Sequence, residues 1–121
     1  DFHGPIEWEA FRREMKRVFP DREIVQLSPD HPVFGCFYQL TEYPQIPGLG
    51  SFFNGVTWEK GGYEAGLHAI LDDRGRAMVL INFNTDLGDG WEDAEVHNDP
   101  NYIREAALQM GVNIIHFALT Q

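Results

Sequence analysis

The sequence INFNTDLGDGW over residues 81–91 ends an apolar, strand-like run with two amides and two carboxylates: Asn82, Asn84, Asp86 and Asp89. In open α/β sheets, ligands bind beyond the carboxyl ends of the strands. Amide and carboxylate groups at such a place can hydrogen-bond a ligand or bind a metal ion. Asn and Asp beside glycines also form turns in which they bond their own backbone. The residues therefore predict either a binding site or a polar turn.

The N-terminal sequence DFHG offers a second set of candidate groups. Asp1 and His3 come just before the first predicted helix, and a helix start favours anions through its free N–H groups and its dipole. If the residues upstream formed a strand, Asp1 and His3 would project from its tip and could meet Asp86 and Asp89. The candidate ligand-binding residues are therefore Asp1, His3, Asn82, Asn84, Asp86, Asp89 and Trp91.

Two uses of these residues fit their chemistry. In a non-catalytic site the polar groups hydrogen-bond a ligand, and Trp91 either stacks on a sugar ring or packs against the protein. In a metal-assisted hydrolase or oxidase, Glu92 or His97 serves as the acid or base. The metal ligands would then be Asp1, His3, Asp86 and Asp89. The remaining histidines are scattered rather than densely spaced, which weighs against a metal.

Composition excludes several other classes of function. Nine Lys and Arg face nineteen Asp and Glu, a formal net charge of −10, whereas nucleic acids and anionic membranes require a basic face. Cys36 is the only cysteine, so neither an intrachain disulfide nor a cysteine-built metal site is possible. The sequence contains no glycine-rich phosphate loop, nucleophile elbow or dinucleotide fingerprint. We therefore expect no nucleic-acid partner, and no insertion into a membrane, because no apolar run approaches ~20 residues.

The spacing of apolar residues predicts a single α/β domain over residues 1–121. Helices are predicted where apolar residues recur every three and four positions, and strands where apolar runs are bounded by turn residues. Gly111 either lies within the last helix or ends it before a strand, and we favour one helix. The predicted elements are a helix over 5–19, a strand over 23–27, a short helix over 32–40, a surface excursion over 41–66, a hairpin over 67–83 and a helix over 100–119.

The apolar positions of these elements predict the core. Because residues 78–81 are all apolar, we expect the strand over 76–83 to lie inside the sheet with both faces covered. The residues expected to be mostly buried are Trp8, Phe11, Met15, Ile24, Phe37, Leu80, Ile81, Ile103, Met110, Ile114 and Phe117.

Three long segments resemble the bacterial domain-of-unknown-function family 4159: DFHGPIEWEAFRREMKRVFPDREIVQLSPDHPVF, INFNTDLGDGWE and GVNIIHFALTQ. The resemblance implies a flavodoxin-like, three-layer fold similar to class I glutamine amidotransferases, in an exported or membrane-associated protein. It brings no established activity with it. Members usually carry further strands and helices upstream, so this chain corresponds to a C-terminal part of the domain. Amidotransferases place a nucleophilic Cys on a strand-to-helix elbow, and Cys36 is not in such an elbow, so amidase chemistry is not implied.

The residues predict an α/β domain with a β-hairpin and a C-terminal helix, and the resemblance implies that it is part of a flavodoxin-like, glutamine amidotransferase-like three-layer domain. The leading hypothesis is a non-catalytic module that binds a small molecule, a sugar or a protein partner in an extracytoplasmic protein. The alternatives are the metal-assisted hydrolase or oxidase, with a divalent metal as its cofactor, and a structural or assembly module. An exposed sheet edge would allow a homo-oligomer to form by strand pairing.

Overall fold

The computed structural model describes residues 2–92, 95 and 99–121. Helices and strands together form a mixed α/β domain, as the sequence predicted, with the expected hairpin and C-terminal helix. The elements are α1 (Gly4–Val18), β1 (Ile24–Gln26), a 3₁₀ turn (Pro32–Phe34), α2 (Leu49–Phe53), β2 (Gly66–Leu71), β3 (Ala77–Phe83), α3 (Leu87–Trp91) and α4 (Asn101–Thr120).

The sheet is antiparallel, with the strand order β1-β2-β3. Gly75 supplies the positive φ, +78°, that the turn of the β2–β3 hairpin requires. The expectation that residues 76–83 lie inside the sheet is wrong, because β1 pairs with β2 and leaves β3 at an edge. Within the described residues, the outer side of β3 has one isolated parallel bridge, between Phe2 and Phe83. Met78 in this strand is accordingly 43% exposed.

The two faces of the sheet pack against different helices, which gives the domain three layers. On one face, the ring of Trp8 in α1 lies 4.8 Å from His68 and 4.4 Å from Phe83, measured between centroids. On the other face, Leu67 and Ala69 join the core beneath the 3₁₀ turn and α4. That core consists of Leu27, Val33, Phe34, Ile46, Leu67, Ala69, Leu87, Ile103, Ala107, Met110 and Phe117.

The expected core is only partly the observed one. Residues on the sheet and on α4 are buried as expected: Ile81, Ile103, Met110 and Phe117. Residues nearer the rim are half-buried: Trp8, Phe11, Met15, Ile24, Leu80 and Ile114. The prediction that Phe37 is buried is wrong, because this residue is 59% exposed. It lies beyond the 3₁₀ turn on a segment where the predicted helix over 32–40 does not form.

The short helix is replaced by a turn because the chain reverses after Phe34. Gly35 N–H donates to Pro32 O at 3.0 Å, and Leu40 N–H reaches back to Phe34 O at 2.8 Å. The excursion over 41–66 is also more structured than expected. It contains α2, and Ile46 within it is 1% exposed.

α4 is one unbroken helix, so the favoured interpretation of residues 100–119 is confirmed and the alternative strand after Gly111 is wrong. A Cβ at Gly111 would lie 3.0 to 3.1 Å from the indole of Trp91. That indole donates from Nε1 to the backbone oxygen of Ala107 at 2.8 Å. Gly111 therefore gives Trp91 room against the helix. No helix in the described part of the chain combines the length and apolar character that crossing a membrane requires.

Candidate metal site

Asn84 fixes the N-terminal segment to the end of β3. It adopts a left-handed backbone conformation, φ +58°, which Asn tolerates better than most residues. Its N–H donates to Phe2 O at 2.7 Å, and its side-chain Oδ1 accepts from Gly4 N–H at 2.9 Å. Its Nδ2 donates to Glu64 O at 2.7 Å. Both ends of the amide are therefore engaged with backbone, and His3 is held beside the strand end.

The start of α1 allows this close approach because residue 4 is glycine. Gly4 is buried and has a φ of +74°. A Cβ there would collide with the backbone oxygen of Lys60. His3 N–H donates to the Glu7 side chain at 2.9 Å. The N-terminal turn of α1 thus packs directly on the segment that contains Lys60.

The residues after Asn84 hold a second segment against the first. Ile46 N–H donates to Thr85 Oγ1 at 2.8 Å, and Asp86 N–H donates to Ile46 O at 2.8 Å. Leu49 N–H donates to Asp89 Oδ2 at 2.8 Å. These bonds place Gly48 directly over the carboxylates that follow β3.

Three carboxylates surround Gly48. A Cβ on this glycine would overlap Glu59 Oε1 and would lie 3.2 Å from Asp86 Oδ2 and 3.5 Å from Asp89 Oδ2. Asp86 also caps α3, because its Oδ1 accepts from Asp89 N–H at 3.1 Å. Within the described residues, no salt bridge reaches any of the three carboxylates. Their negative charges thus lie close together, and Lys60 interacts with one of them, Glu59, without forming a salt bridge.

His3 completes the cluster. One ligand atom each from His3, Glu59 and Asp86 lies within 4.8 Å of the other two. His3 is only 7% exposed, and its Nδ1 has no hydrogen-bond partner. A buried imidazole nitrogen without a partner is costly. One imidazole and two carboxylates are a usual ligand set for a divalent metal ion.

Glu59 was missed because it lies inside the segment interpreted as a surface excursion. Gln45 fixes the segment that follows Glu59 against the end of β3. Its Nε2 donates to the backbone oxygens of Gly62 (3.1 Å), Tyr63 (3.2 Å) and Asn84 (3.0 Å). A turn from Glu59 to Gly62, closed by a 2.7 Å hydrogen bond, then directs the chain back. The sequence signal for that turn is the pair Gly61-Gly62, which says nothing about where Glu59 points.

Lys60 is next to the cluster but is paired elsewhere. It forms an ion pair with Glu7. The hydrogen bond from Lys60 and that from the backbone N–H of His3 lower the pKa of Glu7, so this carboxylate stays ionised. Lys60 thus forms its salt bridge with Glu7, and its interaction with Glu59 is a longer-range electrostatic one.

The other candidate residues have different surroundings. The side chain of Asn82 accepts a hydrogen bond from Tyr43, whose hydroxyl pKa is raised by burial. Trp91 packs on α4, as described above, although about half of its surface is exposed. Glu92 is exposed just after α3. Asp1 and His97 lie outside the described residues. The structure therefore brings His3 and Asp86 of the predicted set together with Glu59, and it places Asp89 beside Gly48.

A cleft of about 550 Å³ between α1 and β1 is separate from this cluster. Trp8, Met15 and Ile70 contribute its apolar wall. The cations on its rim are paired, for example Lys16 with Glu23 at 2.7 Å and Arg12 with Glu9 at 3.1 Å. The cleft also contains His68, whose buried Nδ1 has no hydrogen-bond partner.

The chain belongs to the DUF4159 family, described as a domain of unknown function, whose model matches residues 1–119. A comparison with curated proteins finds no match. The family thus agrees with the resemblance seen in the sequence, and it carries no activity to this chain. The function must be argued from the cluster itself.

Proposed function

We propose that this DUF4159 chain binds a divalent metal ion through His3, Glu59 and Asp86, and that the bound ion holds a ligand. The observation that carries the proposal is the convergence of the three ligand atoms within 4.8 Å around a buried His3 with an unpartnered nitrogen. A cation placed among them would offset the repulsion between the carboxylates and give the imidazole a partner.

The mixed ligand set indicates which ions fit. Ca²⁺ and Mg²⁺ prefer sites built entirely of oxygen atoms. Imidazole nitrogen combined with carboxylate oxygen suits Zn²⁺, Mn²⁺ or Fe²⁺. Asp89 supports the site from the side, because its bond from Leu49 N–H fixes the segment that carries Gly48.

Three protein ligands leave at least one coordination position for another molecule. That position supports the function of a binding module, in which a hydroxyl or carboxylate of a small molecule, a sugar or a protein partner completes the coordination. No nucleophilic side chain is required for this role. The exposed rim formed by residues 57–61 gives such a ligand access to the ion.

Metal content and affinity test the proposal. We expect about one ion per chain by elemental analysis and saturable binding of Zn²⁺ or Mn²⁺ by calorimetry. Asp86→Asn keeps the helix cap, since Asn caps as well as Asp, but it should weaken binding strongly, as should Glu59→Gln. Glu9→Gln, an exposed carboxylate on α1, is the matched control. Sub-stoichiometric metal, or metal that both cluster variants retain, would exclude the site.

A second candidate function is metal-assisted hydrolysis. The open coordination position favours it, because a metal lowers the pKa of a bound water and makes it a nucleophile. Asp89, whose Oδ2 lies beside Gly48 together with Glu59 and Asp86, would be the group to accept the proton of such a water. Turnover of p-nitrophenyl esters or phosphates that depends on added metal and on Asp86 would support this function. An oxidase would in addition require a redox-active ion and consumption of dioxygen.

We also propose that the chain is the C-terminal part of a longer flavodoxin-like, amidotransferase-like domain of an extracytoplasmic protein. The parallel bridge between Phe2 and Phe83 supports it, because it starts the pairing that an upstream strand on β3 would continue. The genomic reading frame tests both ideas. An upstream strand–helix pattern and an export signal are expected, and an initiator Met directly before Asp1 would refute them.

A further inference from the structure

One face of α4 is apolar and exposed, although the opposite face already supplies the core. Leu108, Val112, Ile115 and Leu119 recur at spacings of four, three and four, so they form a single line along the helix. We call this line the α4 stripe. Their exposed fractions are 48%, 39%, 63% and 81%, respectively. Such an exposed apolar line marks an interaction surface.

The two halves of the α4 stripe have different shapes. The first half, with Leu108 and Val112, borders a groove of about 350 Å³ whose far wall is Tyr38. That wall is fixed, because Tyr38 N–H donates to Asn113 Oδ1 and Asn113 Nδ2 donates to Tyr38 O, both at 2.8 Å. The second half, with Ile115 and Leu119, projects into solvent.

A groove at one end and projecting side chains at the other fit each other across a twofold axis. If two α4 helices pack antiparallel about an axis midway between Val112 and Ile115, Leu108 of one copy faces Leu119 of the other and Val112 faces Ile115. Ile115 and Leu119 then enter the groove of the second copy. The stripe spans about 16 Å from Leu108 to Leu119 at 1.5 Å per residue, which is enough for three turns of contact. Such a contact is isologous, the commonest form of dimer interface.

Charge also favours a second copy at this face. The chain has a formal net charge of −10, so two copies repel over most of their surfaces. α4 carries only one base, Arg104, and one acid, Glu105, and its formal charge is zero. Docking through α4 therefore brings the two copies together where like charges do not oppose them.

The free edge of β3 is less suited to this contact. At its end, Phe83 is bridged to Phe2. At its start, the side-chain amide of Gln121 takes both backbone groups of Ala77, at 2.7 Å to the N–H and 2.9 Å to the oxygen. Pairing of edge strands between copies would have to displace these contacts, whereas docking on the α4 stripe displaces none.

We propose that a second copy of this chain docks on the α4 stripe, with the two α4 helices antiparallel about a twofold axis midway between Val112 and Ile115. The interface is independent of the metal cluster, which lies at the end of β3 and the start of α1.

Sedimentation equilibrium of the 121-residue chain tests the proposal. The wild type should dimerise reversibly, and Leu108→Glu and Ile115→Glu should each weaken the dimer by at least about tenfold. Ile6→Glu is the matched control, because Ile6 is 85% exposed on α1, outside the stripe. Circular dichroism checks that every variant remains folded. A wild type that stays monomeric at its highest soluble concentration overturns the proposal, as does a dimer that both stripe variants leave intact.

Mixing two variants tests the register. Leu108→Glu and Leu119→Lys each introduce a charge, and only the antiparallel arrangement places the two opposite charges together. We expect each variant alone to be mainly monomeric and the mixture to form a heterodimer. A mixture that stays monomeric, while both variants are folded, overturns the antiparallel arrangement.

Discussion

Replacing Asn84 tests whether the polar groups at the end of β3 position the residues of the candidate metal site. Asn84 is 5% exposed and is the residue that joins the N-terminal segment to the sheet. In Asn84→Ala, the buried N–H of Gly4 loses its acceptor and the carbonyl of Glu64 loses its donor. The N-terminal segment with His3 would then be held at the end of β3 only by backbone bonds, such as that from residue 84 N–H to Phe2 O.

The expected loss of stability follows from these contacts. A buried N–H left without a partner costs about 1–3 kcal/mol. The carbonyl of the exposed Glu64 regains water, so we add little for it. An Ala at φ +58° adds about 1–2 kcal/mol, because its Cβ is strained in the left-handed region. The sum is a loss of about 2–5 kcal/mol for Asn84→Ala. Asn84→Gly removes the same hydrogen bonds without the strain, so it should lose about 1–3 kcal/mol.

Equilibrium unfolding in urea, followed by circular dichroism, measures the free energy of unfolding. Asn54→Ala is the matched control, because its side chain makes an exposed bond of 3.0 Å to Gly50 O. We expect that variant to change stability by less than about 0.5 kcal/mol. Metal affinity should fall with Asn84→Ala even where the protein remains folded. If Asn84→Ala costs no more than Asn54→Ala, Asn84 does not clamp the N-terminal segment and our account of the site is wrong.

Three further predictions concern the same region and the sheet. Gly48→Ala should weaken metal binding by about tenfold or more, since its Cβ would overlap Glu59, whereas Gly50→Ala, with open space around it, should leave calorimetric affinity unchanged. Metal at a hundred times its dissociation constant should stabilise the fold by about 2.7 kcal/mol, because the ligands come from segments that are far apart in the unfolded chain. Metal binding that leaves the urea midpoint unchanged would show that the ion binds elsewhere. Burial lowers the pKa of His68 below its ordinary 6.5, so the unfolded state binds more protons and the free energy of unfolding should fall as the pH drops through about 6.5. His68→Gln should make the free energy of unfolding depend less steeply on pH. An unchanged pH dependence in that variant would contradict the assignment.

The hairpin and the long helices could be predicted because their signals are local. Gly75 between two apolar runs specifies a turn, and the spacing of apolar residues in α4 specifies a helix whether or not a glycine interrupts it. The position of β3 could not be predicted in the same way. The apolar run at residues 78–81 is compatible with an interior strand, but the neighbours of a strand are set by pairing with distant segments. Here β1 pairs with β2 and not with β3, so β2 is the central strand and β3 lies at an edge.

The residues of the candidate site could likewise be predicted only where their sequence signals are local. His3 and Asp86 could be associated from sequence, because each lies at the end of an element and strand ends gather at one rim. Glu59 could not, since its place depends on Gln45 bonding three backbone oxygens from two other parts of the chain. No periodicity in residues 41–66 records that arrangement. The carboxylate that completes the cluster is therefore a consequence of tertiary hydrogen bonds.

The polar groups that end β3 perform two different tasks. The first group forms its side-chain hydrogen bonds within the protein. Asn82 bonds Tyr43, and Asn84 bonds the backbone of Gly4 and Glu64. Thr85 bonds the backbone of residues 44 and 46. These bonds hold the N-terminal segment and the excursion together. Asp86 accepts the N–H of Asp89 with Oδ1 and has its Oδ2 beside Gly48. Asp89 accepts the N–H of the distant Leu49 with Oδ2, and the same oxygen lies beside Gly48. A strand that ended in a simple turn would need only the first group. In the second group, Asp86 lies close to Glu59 and to a buried His3 with an unpartnered nitrogen, an arrangement that a cation site requires and a turn does not.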